Sequence, residues 1–174
     1  FEVGISEFKE KPCFYVNIDG TNWFFTNQTG DGSYYYINSY GRTDKIIEAP
    51  SIGFKDYEKY ASGRGYLWSR TLPLLRKHIV LGSGADTFVL EFPMQDYVNR
   101  YNYGYLNQII TKPHNIYMQI GVQTGVISLV AYLAFYIVYF ISSFRLYIKG
   151  RFKSYYSQIG VAILISTFSY MIVG

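Results

Sequence analysis

Cysteine is nearly absent from this chain: Cys13 is the only one. An oxidising compartment therefore adds no intrachain disulfide, and a CxxC pair or cysteine-based zinc set is excluded. Cys13 reads as a small residue near the start of a strand. Acid is missing from the whole C-terminal part. The 12 Asp and Glu residues all lie between Glu2 and Asp96, with none from Tyr97 to Gly174. There is no Asp-x-Asp pair, no cluster of histidines with carboxylates and no Gly-x-Ser-x-Gly elbow. Metal catalysis and serine-hydrolase chemistry thus find no support in these residues. No internal repeat is apparent.

What is present is charge of one sign in one place. The formal net charge is +4, and the excess sits in Arg145, Lys149, Arg151 and Lys153, since Lys and Arg balance Asp and Glu elsewhere. Uncharged apolar stretches, Asn115 to Phe144 and Ser154 to Gly174, flank that cluster. Each is long enough for a bilayer span, and cations between two spans mark the cytoplasmic side. The pattern predicts a membrane protein with residues 1–118 outside the cytoplasm. Its expected parts are a strand-rich region at 1–60, an outer loop at 61–118, a transmembrane helix at 119–144 centred on Val122 to Ser143, a cytoplasmic loop at 145–154 and a second transmembrane helix at 155–174. A pI near 9.0 does not indicate nucleic acid, because no basic stripe runs through the polar part. Membrane lipids with anionic headgroups are the expected partner of the four cations. The chain opens with Phe1 and stops inside an apolar run. It is expected to be a fragment of a larger polytopic protein, whose upstream helices deliver the first segment across the membrane.

The fold class predicted is mainly α, with a small antiparallel β meander and short helices outside the membrane, followed by two transmembrane helices. Phe14 to Ile18 runs into Asp19-Gly20, a hairpin signal. Trp23 to Thr26, then Tyr34 to Tyr40, read as the next strands, and Gly41 to Asp44 as a turn into Lys45-Ile46-Ile47. The meander is too small for a core of its own and is expected to pack on the rest of the protein. Asn27-Gln28-Thr29 fits a glycosylation acceptor formally and is read as turn chemistry. Ala49 to Gly53 reads as a linker. Ser62 is the expected N-cap of a helix from Gly63 or Arg64 to about Lys77, with Pro73 kinking or splitting it. Asp96 to Gln108 shows no clear period.

Three segments could carry chemistry. In Ser62-Gly63-Arg64-Gly65-Tyr66-Leu67-Trp68-Ser69-Arg70, two guanidinium groups could grip a diphosphate through paired hydrogen bonds. Two solvated cations flanking a buried Trp68 are the competing reading. Leu81-Gly82-Ser83-Gly84 allows close backbone approach to a ligand or to another segment, and a structural turn is its default; the P-loop and dinucleotide signatures are incomplete. Lys112-Pro113-His114-Asn115 places polar groups where the chain enters an apolar helix. There an imidazole could take a proton from a hydroxyl, near the positive end of a helix begun at Pro113. His78, among Arg76, Lys77 and Ile79, reads as a surface residue.

Taken in order, Gly63-Arg64 with Leu67-Trp68, Pro73, Leu81-Gly82-Ser83-Gly84, Thr87-Phe88, His114-Asn115, Gly121 and Gly125 resemble the O-antigen ligase and polymerase family of bacterial membrane glycosyltransferases. The resemblance covers about Ser62 to Ser143, and the strands before it look like a lineage-specific insertion. It implies a multi-pass protein of the bacterial cytoplasmic membrane. Such a protein transfers a glycan from undecaprenyl diphosphate to a glycan or lipid-linked acceptor at the outer face, without a metal or other cofactor. By position, Arg64 and His114 would be catalytic, one stabilising the diphosphate leaving group and the other orienting or deprotonating the acceptor hydroxyl. Arg70, Asn115, Gly82, Gly84 and Trp68 form the implied substrate-binding set. The isolated fragment is expected to be inactive.

A different class of function stays open on the residues alone: a non-enzymatic membrane protein whose outer region binds a carbohydrate or partner through Tyr34, Tyr35, Tyr36 and Tyr40. The two readings part over Arg64 and His114, which only an enzyme needs in one place. A transporter or channel segment fits less well, since the apolar helices carry no ionisable residue.

Overall fold

The computed structural model describes residues 1–54, 56–149 and 154–173. In chain order the elements are β1 (Glu2–Phe8), β2 (Lys11–Ile18), β3 (Thr21–Thr26), β4 (Tyr35–Ile37), β5 (Thr43–Asp44), α1 (Arg64–Leu75), α2 (Phe88–Glu91), α3 (Tyr97–Asn102), α4 (Ile116–Thr124), α5 (Val126–Lys149) and α6 (Tyr155–Val173). Helices, a small antiparallel sheet and two long apolar helices make up the fold class that the sequence predicts. They form two compact units: Phe1–Pro50 with Pro93–Ile110, and Ser51–Phe92 with Thr111–Gly174.

The first unit is a meander in the order β1-β2-β3-β4-β5, antiparallel throughout. Asp19-Gly20 makes the expected hairpin turn, with φ of 50° and 79°. Lys9-Glu10 makes another with φ of 48° and 64°, the left-handed pair that a two-residue hairpin requires. Neither residue advertises that geometry, which is why β1 goes unseen in the sequence. β4 is shorter than the expected strand from Tyr34 to Tyr40. Asn38 ends it by accepting the Tyr40 and Arg42 N–H groups on its side-chain oxygen, at 2.9 and 3.1 Å, a side chain replacing the ladder. Thr43–Asp44, expected as a turn, pairs with β4, and Lys45 to Ile47 lies outside any strand.

Register places Trp23 opposite Val16, and Phe25 between Phe14 and Tyr36. This aromatic face is covered by α3. Trp23, Tyr36 and Tyr97 are buried together, with Phe25, Tyr101 and Leu106 against them. Ring centroids lie 4.5 Å apart for Tyr36–Tyr97 and 5.3 Å for Trp23–Tyr36. Each such pair contributes roughly 0.5–1.5 kcal/mol beyond area burial. Arg100, buried on α3, donates to the carbonyls of Met94, Tyr105, Leu106 and Gln108. One side chain thereby holds the turn that follows the helix.

In the second unit, α1 starts at Arg64 as expected, but its cap is Gly63, at φ 85° and with no side-chain hydrogen bond. Ser62 is not the cap: its own φ of 60° turns its side chain out of capping position. Pro73 lies inside α1 and has no N–H for the Ser69 carbonyl. That carbonyl accepts instead from Ile52, at 3.0 Å. The helix closes within the next turn, through Lys77 N–H to Leu74 and His78 N–H to Leu75.

The helix expected over 119–144 is two helices. Gly125, at φ 103° and ψ 154°, separates α4 from α5 in a conformation costly to residues with a Cβ. The orphaned backbone groups at this break are met by the strand of chain after α1. Val126 and Ile127 donate to the carbonyls of His78 and Ile79, at 2.9 and 3.0 Å. Ser83 and Gly84 donate to those of Val122 and Gln123, also at 2.9 and 3.0 Å.

Val126–Ile148 (23 residues) and Tyr155–Val173 (19 residues) are long and apolar enough to cross a membrane. Their side chains are largely exposed, including Ile127, Phe135, Ile137 and Leu146, so they need an apolar solvent. Phe140 meets Phe168 edge-on at 5.7 Å, and Leu164 is buried. Of the predicted cytoplasmic loop, Arg151 and Lys153 lie outside the described residues, and Arg145 belongs to α5. The protein is a membrane protein.

Candidate functional site

Arg64 is the first residue of α1 and is exposed. Nothing acidic follows in the first turn to occupy the cation. Farther along the same helix, Arg70 is buried. Its guanidinium lies 3.9 Å from the Glu58 carboxylate, donates to the Ser69 hydroxyl at 3.0 Å and sits 5.0 Å over the Tyr66 ring. The two arginines therefore have different surroundings: Arg64 faces solvent, and Arg70 is held inside the unit. Glu58 carries no motif that would have drawn attention to it in the sequence.

Trp68, on α1, is half-buried, with its ring 5.3 Å from Phe54 and 6.3 Å from Tyr60. Its indole nitrogen donates to the Pro113 carbonyl at 3.0 Å. Pro113 is fully buried. His114 follows at φ 53°, a left-handed conformation costing a residue with a Cβ roughly 1–2 kcal/mol. The α4 helix starts later than Pro113. Asn115 is its N-cap, in extended conformation, and its side-chain oxygen accepts the Met118 N–H at 3.0 Å, as capping predicts.

His114 is exposed, yet the protein behind it removes enough water to push its pKa below the usual histidine value. Lys112 and then Arg64 push it the same way. Both effects favour the uncharged, proton-accepting form of the imidazole. Lys112 stands in the motif that the sequence singles out, but its influence on His114 is visible only in space. Arg64, Lys112 and His114 are thus brought into one electrostatic neighbourhood.

Gly82 and Gly84 approach backbone. A Cβ on Gly82 would lie 2.1 Å from the Gln123 carbonyl group, and Gly84 donates to that same carbonyl. Of the two uses of close approach that the sequence leaves open, the observed contact is with another segment. His78, expected at the surface, is half-buried, with Nε2 3.2 Å from a Glu91 carboxylate oxygen. In the first unit, the Tyr97 hydroxyl donates to Asp44, which also accepts from Asn38 at 2.7 Å. Burial first, and the Asp44 hydrogen bond second, push Tyr97 up to about 12. Among the described residues, no three His, Cys, Asp or Glu side chains group as metal ligands would.

No curated protein and no solved structure matches the chain. A family model, described as O-antigen ligase, matches residues 28–133. The match takes in Arg64, Trp68, Arg70, Gly82, Gly84, His114 and Asn115, and it also reaches back into β4 and β5. With more than half its length matched, and with two helices suited to a bilayer, the chain belongs to the O-antigen ligase family.

Proposed function

We propose that this chain supplies the outer catalytic loop of an enzyme that moves a glycan from undecaprenyl diphosphate to an acceptor hydroxyl. The acceptor is a glycan or a lipid-linked sugar at the outer face of the bacterial cytoplasmic membrane, in a multi-pass protein with residues 1–118 outside. Membership of the O-antigen ligase family supports surface-polysaccharide ligation or polymerisation in general. The observation that carries the finer reading is the pairing of an exposed cation, Arg64, with an exposed imidazole kept neutral, His114, in one compact unit.

In this reading, His114 accepts the proton of the acceptor hydroxyl as its oxygen attacks the anomeric carbon. The bond from that carbon to the diphosphate oxygen breaks, and undecaprenyl diphosphate departs with an added negative charge. Arg64 stabilises that charge through charge-assisted hydrogen bonds from its guanidinium, and no metal is needed. A bound diphosphate would also offset the field of Lys112 and Arg64 on His114. The imidazole would then hold a proton better with donor present than without it, which couples donor binding to base strength. Asn115 serves by starting α4, and Arg70 by holding α1.

The test is glycan transfer by the full-length protein in membranes, with Arg64→Ala and His114→Ala at normal abundance. Each is expected to lower the rate, by about 10²–10⁴-fold for the base and about 10²–10³-fold for the cation. Transfer is expected to survive EDTA. Near-normal rates in both variants would remove these residues from the reaction.

A further inference from the structure

We infer that Trp68 is a positioning residue for His114, acting through the Pro113 carbonyl rather than on the glycan. The inference rests on the reading of His114 as the acceptor base.

The geometry is a short chain of contacts. The indole N–H of Trp68 reaches the Pro113 oxygen at 3.0 Å, across 45 positions of sequence. That oxygen belongs to the peptide plane that also carries the His114 nitrogen. Holding one side of a planar peptide fixes the other, and so sets the axis about which His114 takes its φ of 53°. A histidine relaxes from that left-handed well unless its surroundings over-determine it. Three constraints do so here: buried Pro113 before it, the Asn115 cap after it and the indole bond. Lys112, which precedes proline, is restricted to extended backbone and adds to the first.

Trp68 is itself fixed. Phe54 and Tyr60 pack on its ring, from a segment whose Gly53, Phe54, Asp56, Ala61, Ser62 and Gly63 all have positive φ. That backbone carries Phe54 and Tyr60 to the indole. These two contacts hold the ring, and its nitrogen makes the hydrogen bond to Pro113.

The test replaces the N–H and little else. Benzothienylalanine, placed at position 68 alone, keeps the bicyclic shape with sulfur in place of nitrogen, and Trp68→Phe is the simpler companion. Transfer is measured with His114 intact and in a His114→Ala background. The rate at which diethyl pyrocarbonate modifies His114 is read by mass spectrometry on the same membranes. Loss of the N–H is expected to slow transfer on the order of ten- to a hundredfold, the scale of a sub-ångström to ångström misplacement. It is expected to add nothing once His114 is gone, and to change the modification rate. Losses that multiply in the His114→Ala background, or an unchanged modification rate, would overturn the inference. If His114→Ala transfers normally, the base reading fails on its own, and the modification rate alone decides whether Trp68 positions the imidazole.

Discussion

Arg70 and Glu58 form a buried ion pair, with nitrogen and oxygen 3.9 Å apart and side chains only 4 % and 11 % exposed. Removing one member of such a pair leaves the other charged and poorly solvated, which costs about 3–5 kcal/mol. Glu58→Ala is therefore expected to unfold the second unit at markedly lower temperature, measured by thermal denaturation in detergent. Arg70→Met with Glu58→Leu should recover most of the loss, because the desolvation cost of both charges disappears with them. A substrate-gripping Arg70 would behave otherwise, since Arg70→Met alone would then leave stability intact and abolish transfer.

Gly82 gives a sharper steric prediction. The Cβ of an alanine would overlap the Gln123 backbone at 2.1 Å, and neither segment can move without breaking the bonds between them. Gly82→Ala is expected to cost about 3 kcal/mol or more, at or beyond the upper end of overpacking penalties. Gly84→Ala meets only the Thr87 side chain, at 3.4 Å, but sits at φ 110°, and should cost roughly 1–2 kcal/mol. Melting temperatures of the two variants in detergent would rank them.

Transfer should depend on pH through His114. A depressed pKa means that the neutral, proton-accepting form persists below the usual histidine range before activity falls. Lys112→Gln is expected to move this acid limb upward. Burial outranks Lys112 among the causes, so the limb should stay below the usual value. The same sign governs stability. The unfolded chain protonates His114 first as pH falls, so the contribution of this group is present above about pH 6.5 and is lost below it. A pH–rate profile of both proteins decides the matter.

Tyr97 has the opposite sign. Its folded pKa, pushed up to about 12, exceeds the ordinary value near 10. The unfolded state therefore ionises first as pH rises, and the contribution of Tyr97 is present below about pH 10 and lost toward pH 12. Tyr97→Phe should flatten that alkaline decline, measured by denaturant unfolding across the interval. Asp44→Asn, which removes the charged acceptor, is expected to cost about 1.5–3 kcal/mol at neutral pH.

The parts of the fold legible in the sequence are those with strong local chemistry. Asp19-Gly20 announces its hairpin, and uncharged runs announce the two long helices. Arg64 opens α1 where the glycines place it. What stays hidden depends on partners distant in sequence. β1 follows a turn made by Lys9 and Glu10, whose left-handed backbone is imposed by pairing rather than by residue type. α3 has no apolar period because it is held by a few aromatic contacts and by Arg100 on four carbonyls. Gly125 sits in an uncharged run, where only the intrusion of His78 to Gly84 reveals that one helix must become two. For the candidate site the residue types were readable, but their relations were not. Arg64 and Arg70 look alike as letters and differ in burial, and nothing in the sequence ties Trp68 to Pro113. The family match begins at residue 28, upstream of Ser62, where the resemblance read from the sequence begins.

The four backbone bonds around Gly125 make the entry to α5 a mortised joint. A spanning helix answers a thicker or thinner bilayer by changing its tilt, and side-chain contacts can slide to absorb such a change. Backbone hydrogen bonds on both sides of a break cannot. Leaning α5 therefore drags the chain from His78 to Gly84, and with it the end of α1. Any reorientation of α5 is thus coupled to the segment that follows α1 through peptide groups, independent of which side chains α5 carries.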